Sequence, residues 1–260
     1  MSTTVPHSTE NGLQFVEEGT PGKPVVLLIH GSLDRSAGML RVSRQIQKEA
    51  HVIRYDRRGY AHNNSHQGPF TVAGNVADVV SILNGRKSIL VGHSFGGNIA
   101  LATAALLGEQ IQAVSTYETP LSWFDWWPRN TAGANSLAVP TADAAEAFMI
   151  RLIGRRRWEQ LPETTKEARR SEGAALTTEL QSIREGAPWT VGDVRCPVLC
   201  GYGSRALEHH KKGAIWLGEN LTHARSVEIA DAGHGAPNSH ASDFAKLLIR
   251  PHLASVDLTD

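Results

Sequence analysis

Gly92-His93-Ser94-Phe95-Gly96-Gly97 lies between a short apolar run, Ser88 to Val91, and a stretch of helical character, Asn98 to Leu107. A serine at a sharp strand-to-helix turn is forced outward with its hydroxyl exposed. Glycines two residues before and two after it relieve the crowding between strand and helix. Ser94 is therefore the candidate nucleophile. A glycine-rich turn that binds phosphate is the plainer reading of the same six residues, but the strand before and the helix after them favour the nucleophile.

Short β-branched runs recur on both sides, at Val25 to His30, His51 to Asp56, Ser88 to Gly92, Gln112 to Glu118, Pro197 to Gly203 and Ser226 to Ala230. Their continuous apolar character predicts strands buried on both faces. Between them, Val72, Val76, Val79 and Leu83 mark one apolar helix face, and Phe244, Leu247 and Leu248 mark another. Strand then helix, repeated, predicts an α/β class with a mostly parallel central sheet flanked by helices. One connection breaks this rhythm: about 80 residues separate the run ending at Glu118 from the run beginning at Pro197, far more than a crossover needs. Inside it, Ala145, Phe148, Met149 and Leu152 form one helical set, stopped by Gly154, and Leu176, Leu180 and Ile183 form a second. These predict a helical cap over residues 119–189 inserted into a core of residues 1–118 and 190–260. Trp123, Trp126, Trp127 and Trp158 sit in the cap.

Two further turns fall where catalysis needs them. His30-Gly31-Ser32 closes the first strongly apolar strand, so the N–H of Ser32 can join that of Phe95 over a developing oxyanion. Asp231-Ala232-Gly233-His234-Gly235 follows the last strand and puts His234 in a loop at the same carboxyl edge of the sheet.

Over roughly residues 15 to 250 the chain resembles the α/β-hydrolase family. His30-Gly31 matches its oxyanion turn, Asp56-Arg57-Arg58-Gly59-Tyr60 its D-x-R-G loop, Gly92 to Gly96 its nucleophile elbow and Gly233-His234 its histidine loop. The long segment before Pro197 matches the cap that many members insert between their sixth and seventh strands. The resemblance implies a nucleophile, acid and histidine in that chain order. It departs at the acid. Members commonly place an aspartate three residues beyond a glycine after the seventh strand, where this chain reads Gly203-Ser204-Arg205-Ala206. Glu118, at the end of the preceding strand, is a physical substitute, since neighbouring strands lie only about 5 Å apart. Haloalkane dehalogenases resemble this arrangement in carrying the acid after the sixth strand. Glu208 is the competitor. A serine at position 94 also separates the chain from the dehalogenases and epoxide hydrolases, which need a carboxylate nucleophile to form an alkyl ester.

The expected activity is attack by Ser94 on a small ester, lactone or thioester with an apolar or aromatic part. His234 would serve as base, Glu118 as its orienting acid, and Trp123, Trp126 and Trp127 would line the substrate site or anchor the cap. Acyl transfer, C–C hydrolysis or lyase chemistry with the same residues is one alternative, and a non-catalytic ligand-binding protein is another. Composition narrows the partners to a small-molecule substrate. Lys+Arg and Asp+Glu balance at 26 each, which offers no field for nucleic acid or an anionic membrane. No apolar run approaches the roughly 20 residues of a membrane span. Cys196 and Cys200 stand about 13 Å apart along a strand, too far for a disulfide. With no basic-then-apolar leader at the N-terminus, a cytoplasmic location is expected. His62 with His66 and His209 with His210 lack metal-site spacing and read as solvated loop histidines, so neither a metal nor a cofactor is expected. Arg155-Arg156-Arg157 reads as an exposed face of the cap.

Overall fold

A computed structural model describes residues 5–256. Eight strands form one sheet: β1 (Val5–Ser8), β2 (Gln14–Gly19), β3 (Val25–Ile29), β4 (His51–Tyr55), β5 (Ser88–His93), β6 (Ile111–Tyr117), β7 (Val198–Gly203) and β8 (Ala224–Ile229). Their order is β1-β2-β4-β3-β5-β6-β7-β8. From β4 to β8 all neighbours run parallel, and β1 and β2 add antiparallel at one edge. The six apolar runs are all strands, with ends shifted by a residue or two. The edge pair was hidden because β1 is exposed throughout and β2 is largely polar, so backbone pairing rather than burial makes them strands.

Residues of opposite parity serve opposite layers of the core. On β3, Leu27 and Ile29 pack with the helices Val72–Leu83 and Phe95–Leu107, whereas Val26 and Leu28 face the helix Leu40–Ile46 and the C-terminal helical segments. This is period-two geometry with both faces covered, which is why alternation was missing from the sequence. In the C-terminal segment a π turn, Ala245–Ile249, follows Phe244, so Phe244, Leu248 and Ile249 are buried and Leu247 is only partly so.

Five α-helices separate β6 from β7, namely Ala132–Leu137, Thr141–Ile153, Arg155–Glu159, Glu163–Arg170 and Gly173–Glu185, followed by a short 3-10 turn, Val191–Asp193. Ala144, Ala145, Phe148, Leu176 and Leu180 pack together against Leu33 and Tyr60, which lie in the connections after β3 and β4. Leu152 departs from its expected place in this apolar set and stands 46% exposed. Arg155, Arg156 and Arg157 are exposed. Cys196 and Cys200 are separate thiols, and burial pushes them up to about 11 and about 12. No helix among the described residues is long and apolar enough to cross a membrane.

Candidate active site

Ser94 directly follows β5, at φ 52° and ψ −124°, and the helix Phe95–Leu107 begins at the next residue. Such a backbone costs of order 1–3 kcal/mol for a non-glycine residue and persists only where its surroundings hold it. Here the Ser94 N–H donates to the Tyr117 carbonyl at 2.8 Å, and its own carbonyl accepts from Gly97 N–H at 2.9 Å. A Cβ on Gly92 would run into the Gly96 carbonyl, and one on Gly96 into the Ile29 carbonyl. Close approach of β5, the helix and β3 therefore requires both glycines. Gly31 completes the set, since a Cβ there would lie 2.9 Å from Ser94 Cβ.

Glu118 is the first residue beyond β6, buried at 1% exposure and also at positive φ, 48°. Its N–H donates to the Gly201 carbonyl of β7 at 2.9 Å. Its side chain then crosses the end of β7, where Oε1 accepts from Gly203 N–H at 3.2 Å and Oε2 lies 2.8 Å from His234 Nδ1. Gly203 clears this path, because a Cβ there would meet the Ala232 carbonyl. The loop that lacks the expected aspartate is otherwise engaged. Ser204 Oγ accepts from Asp231 N–H at 2.8 Å, and Arg205 pairs with Asp231 at 2.9 Å. Glu208 is exposed at the start of the helix Glu208–Asn220, and no hydrogen bond from it reaches His234 among the described residues.

The turn at Ser32 is held from beneath. His30 is fully buried, with Nδ1 bonded to the Gly31 carbonyl at 2.8 Å and Nε2 accepting Arg57 N–H at 2.9 Å. Burial, followed by the Arg57 charge, pushes it down to about 3, so it stays neutral as the Nδ1–H tautomer. Arg57 donates to the carbonyls of His30 and Gly31 at 3.0 and 3.1 Å and to Glu179 at 2.8 Å, and its guanidinium lies 4.9 Å from the Phe95 ring centre. One buried side chain thus touches the Ser32 turn, the residue after Ser94 and the helices between β6 and β7.

Ser32, Ser94 and His234 line one cavity of about 560 Å³, together with Trp127, Phe148, Leu152, Leu180, Ile183 and Arg184. Of the three tryptophans expected to line the substrate site or anchor the cap, Trp127 lies on the wall of this cavity. Trp123 packs edge-on against Trp189, and Trp126 stacks on Phe124 with Lys212 Nζ 4.4 Å from its ring centre. Reading His209 and His210 as solvated loop residues also needs correction. They fall in the first turn of the helix Glu208–Asn220 and face the cavity, with His210 stacked on His234 at 4.9 Å between ring centres. On the other side, the His93 ring lies 4.7 Å from that of His234, and its Nε2 donates to the His234 carbonyl at 2.9 Å. Burial, then the neighbouring His234, pushes His93 down to about 3 and His210 well below the usual histidine range. Both stay neutral beside His234. Glu118, His210 and His234 also offer ligand atoms within 4.8 Å of one another, a grouping able to hold a metal ion.

A model of the alpha/beta hydrolase family matches residues 26–247. The chain belongs to the alpha/beta hydrolase family. Mouse (Mus musculus) epoxide hydrolase 4 is 31% identical to this hydrolase-fold chain over 118 residues, covering 43% of the chain and 33% of that protein. The match to the human (Homo sapiens) epoxide hydrolase 4 likewise spans a third of the relative's length. Among solved structures, the enol-lactonase from Burkholderia xenovorans LB400 superimposes with a TM-score of 0.72 at 20% identity, covering 97% of this chain and 100% of that one. A thermophilic esterase from Thermogutta terrifontis gives 0.71 at 19%, covering 97% and 98%. At such identities these likenesses speak for the alpha/beta hydrolase fold alone. Within that family pattern, the parts that sequence reasoning missed are His93, His210 and Arg184. His93 sits inside the elbow motif and was legible there, whereas the other two reach the cavity through long-range packing that no local signal reports.

Proposed function

We propose that this protein is a serine hydrolase that cleaves a small ester, lactone or thioester with an apolar or aromatic part through an acyl-enzyme. Ser94 Oγ attacks the carbonyl carbon while His234 Nε2 takes its proton and then returns it to the leaving group. Glu118 fixes Nδ1–H and stabilises the imidazolium. The N–H groups of Ser32 and Phe95 receive the oxyanion, the latter at a helix N-terminus whose first N–H groups have no carbonyl partner within the helix. Water, activated by His234, then releases the acyl group. The helices between β6 and β7 act as a cap, and Trp127 supplies an aromatic wall for the substrate. The observation that carries this reading is the 2.8 Å contact of Glu118 with His234 beside a serine held at φ 52° on the wall of the same cavity.

Epoxide opening is disfavoured by residue 94 itself. It proceeds through an alkyl ester of a carboxylate nucleophile, and a serine alkoxide would leave an ether that water cannot release. A fluorophosphonate probe should label the parent protein and not Ser94→Ala, and chromogenic esters should be turned over only by the parent. Labelling of Ser94→Ala to the same extent would sink the assignment.

A further inference from the structure

Arg184 lies in the last turn of the helix Gly173–Glu185 and lines the cavity that holds Ser94 and His234. It is half-buried. Arg54, Arg57 and Arg58, the buried arginines among the described residues, each meet a carboxylate at 2.6, 2.8 and 2.6 Å. Arg184 meets none within ion-pair reach among the described residues. Its hydrogen bond is a long one, 3.4 Å from Nη2 to Thr131 Oγ1, an oxygen that already caps the helix Ala132–Leu137 by accepting from Ala134 N–H at 3.2 Å. Burial works against its charge. A partly desolvated guanidinium is costly unless an anion completes it. On a cavity wall a ligand can supply that anion.

We propose that the substrate carries a free carboxylate, held by Arg184 while the scissile carbonyl faces Ser94. The class is a half-ester or lactone of a dicarboxylic acid with an apolar span between its two ends. Phe148, Leu180 and Ile183 line the cavity beside Arg184 and suit such a span. A planar guanidinium matches a carboxylate through two parallel N–H donors. A dianionic phosphate would call for a second buried cation. The other arginines of the cavity do not provide it, since Arg151 is exposed and Arg205 is already paired with Asp231 at 2.9 Å.

This inference rests on the serine-hydrolase reading, and its test separates the two. The measurement is the ratio of kcat/KM for p-nitrophenyl hydrogen glutarate over p-nitrophenyl valerate, whose acyl chains differ only in carboxylate against methyl. The parent should favour the glutarate, and Arg184→Gln should lower the ratio by about 10- to 100-fold, the worth of one charged hydrogen-bonded pair. Arg184→Lys should fall between them. A ratio cancels any change in the folded fraction. A parent ratio of one or less, or a ratio unchanged in Arg184→Gln, would overturn the carboxylate site. In parallel, monomethyl glutarate is titrated calorimetrically into Ser94→Ala with and without Arg184→Gln. Arg184-dependent binding without turnover of either ester by the parent would keep the site and remove the hydrolase reading. Binding that ignores Arg184 would remove the site whatever the turnover.

Discussion

At Glu118 a single carboxylate is divided between two donors, the Gly203 N–H at 3.2 Å and His234 Nδ1 at 2.8 Å. Glutamine at this position would keep an acceptor for Gly203 but turn an NH₂ donor toward Nδ1. The imidazole would then hold its proton on Nε2, facing Ser94, where a base is needed. Glu118→Gln should therefore lower kcat by about 10²- to 10⁴-fold with little change in folding. Glu208→Gln should leave kcat close to the parent's, since Glu208 is exposed and makes no hydrogen bond to His234 among the described residues. Steady-state kinetics on a chromogenic ester checks both, and a large effect at Glu208 with none at Glu118 would reverse the assignment. At this scale much was legible. The glycines around Ser94 and the absence of an acid at residues 204–206 are local facts, and strand spacing alone put Glu118 within reach of the histidine loop.

Between elements the decisive contact is Arg57 with Glu179, a fully buried pair 122 residues apart in the chain. Glu179 also accepts from the Tyr60 hydroxyl at 2.7 Å, so one carboxylate joins the helix Gly173–Glu185 to the loop after β4. Removing one partner of such a pair leaves an uncompensated buried charge. Glu179→Gln should cost about 3–5 kcal/mol in urea unfolding. Glu163→Gln, at an exposed pair with Arg170, should leave the transition where it is. Equal, small effects at both would mean that the network adds nothing to stability. Nothing in the sequence announces this pair. Arg57 was visible as part of a loop motif, but Glu179 sits in an ordinary amphipathic helix and gains its meaning only when that helix lies over the loop.

For the whole molecule, five histidines among the described residues are made harder to protonate, chiefly by burial: His30 and His93 at about 3, His252 at about 4, His210 well below the usual 6.5 and His209 below it. A histidine harder to protonate in the folded state than in the unfolded one supports folding fully above about pH 6.5, and that support is lost as pH falls toward its folded value. Glu172 works in the opposite direction. Burial raises it to about 7, so its contribution is lost as pH rises from about 4.5 through 7. With these histidines set against Glu172, stability should fall by on the order of 3 kcal/mol per pH unit between about pH 6 and 5. Thermal melts across that range test this. His252→Gln should flatten the slope, because a glutamine can still donate to the Val114 carbonyl that His252 Nε2 meets at 3.1 Å. A melting temperature that rises on acidification would contradict it.

Wherever a feature depends on neighbours along the chain, the sequence by itself determined it. The α/β class, the parallel strands and the strand-turn-helix at Ser94 follow from local periodicity and turn chemistry. Tertiary structure alone decided which side chains share the cavity: Trp127 but not Trp123 or Trp126, His210 stacked on His234, and Arg184 with no carboxylate in ion-pair reach among the described residues. The reason is physical. A strand or helix is closed by contacts a few residues apart, whereas burial and charge pairing depend on elements that meet only when the sheet and its covering helices pack, and residue order carries no direct record of that meeting.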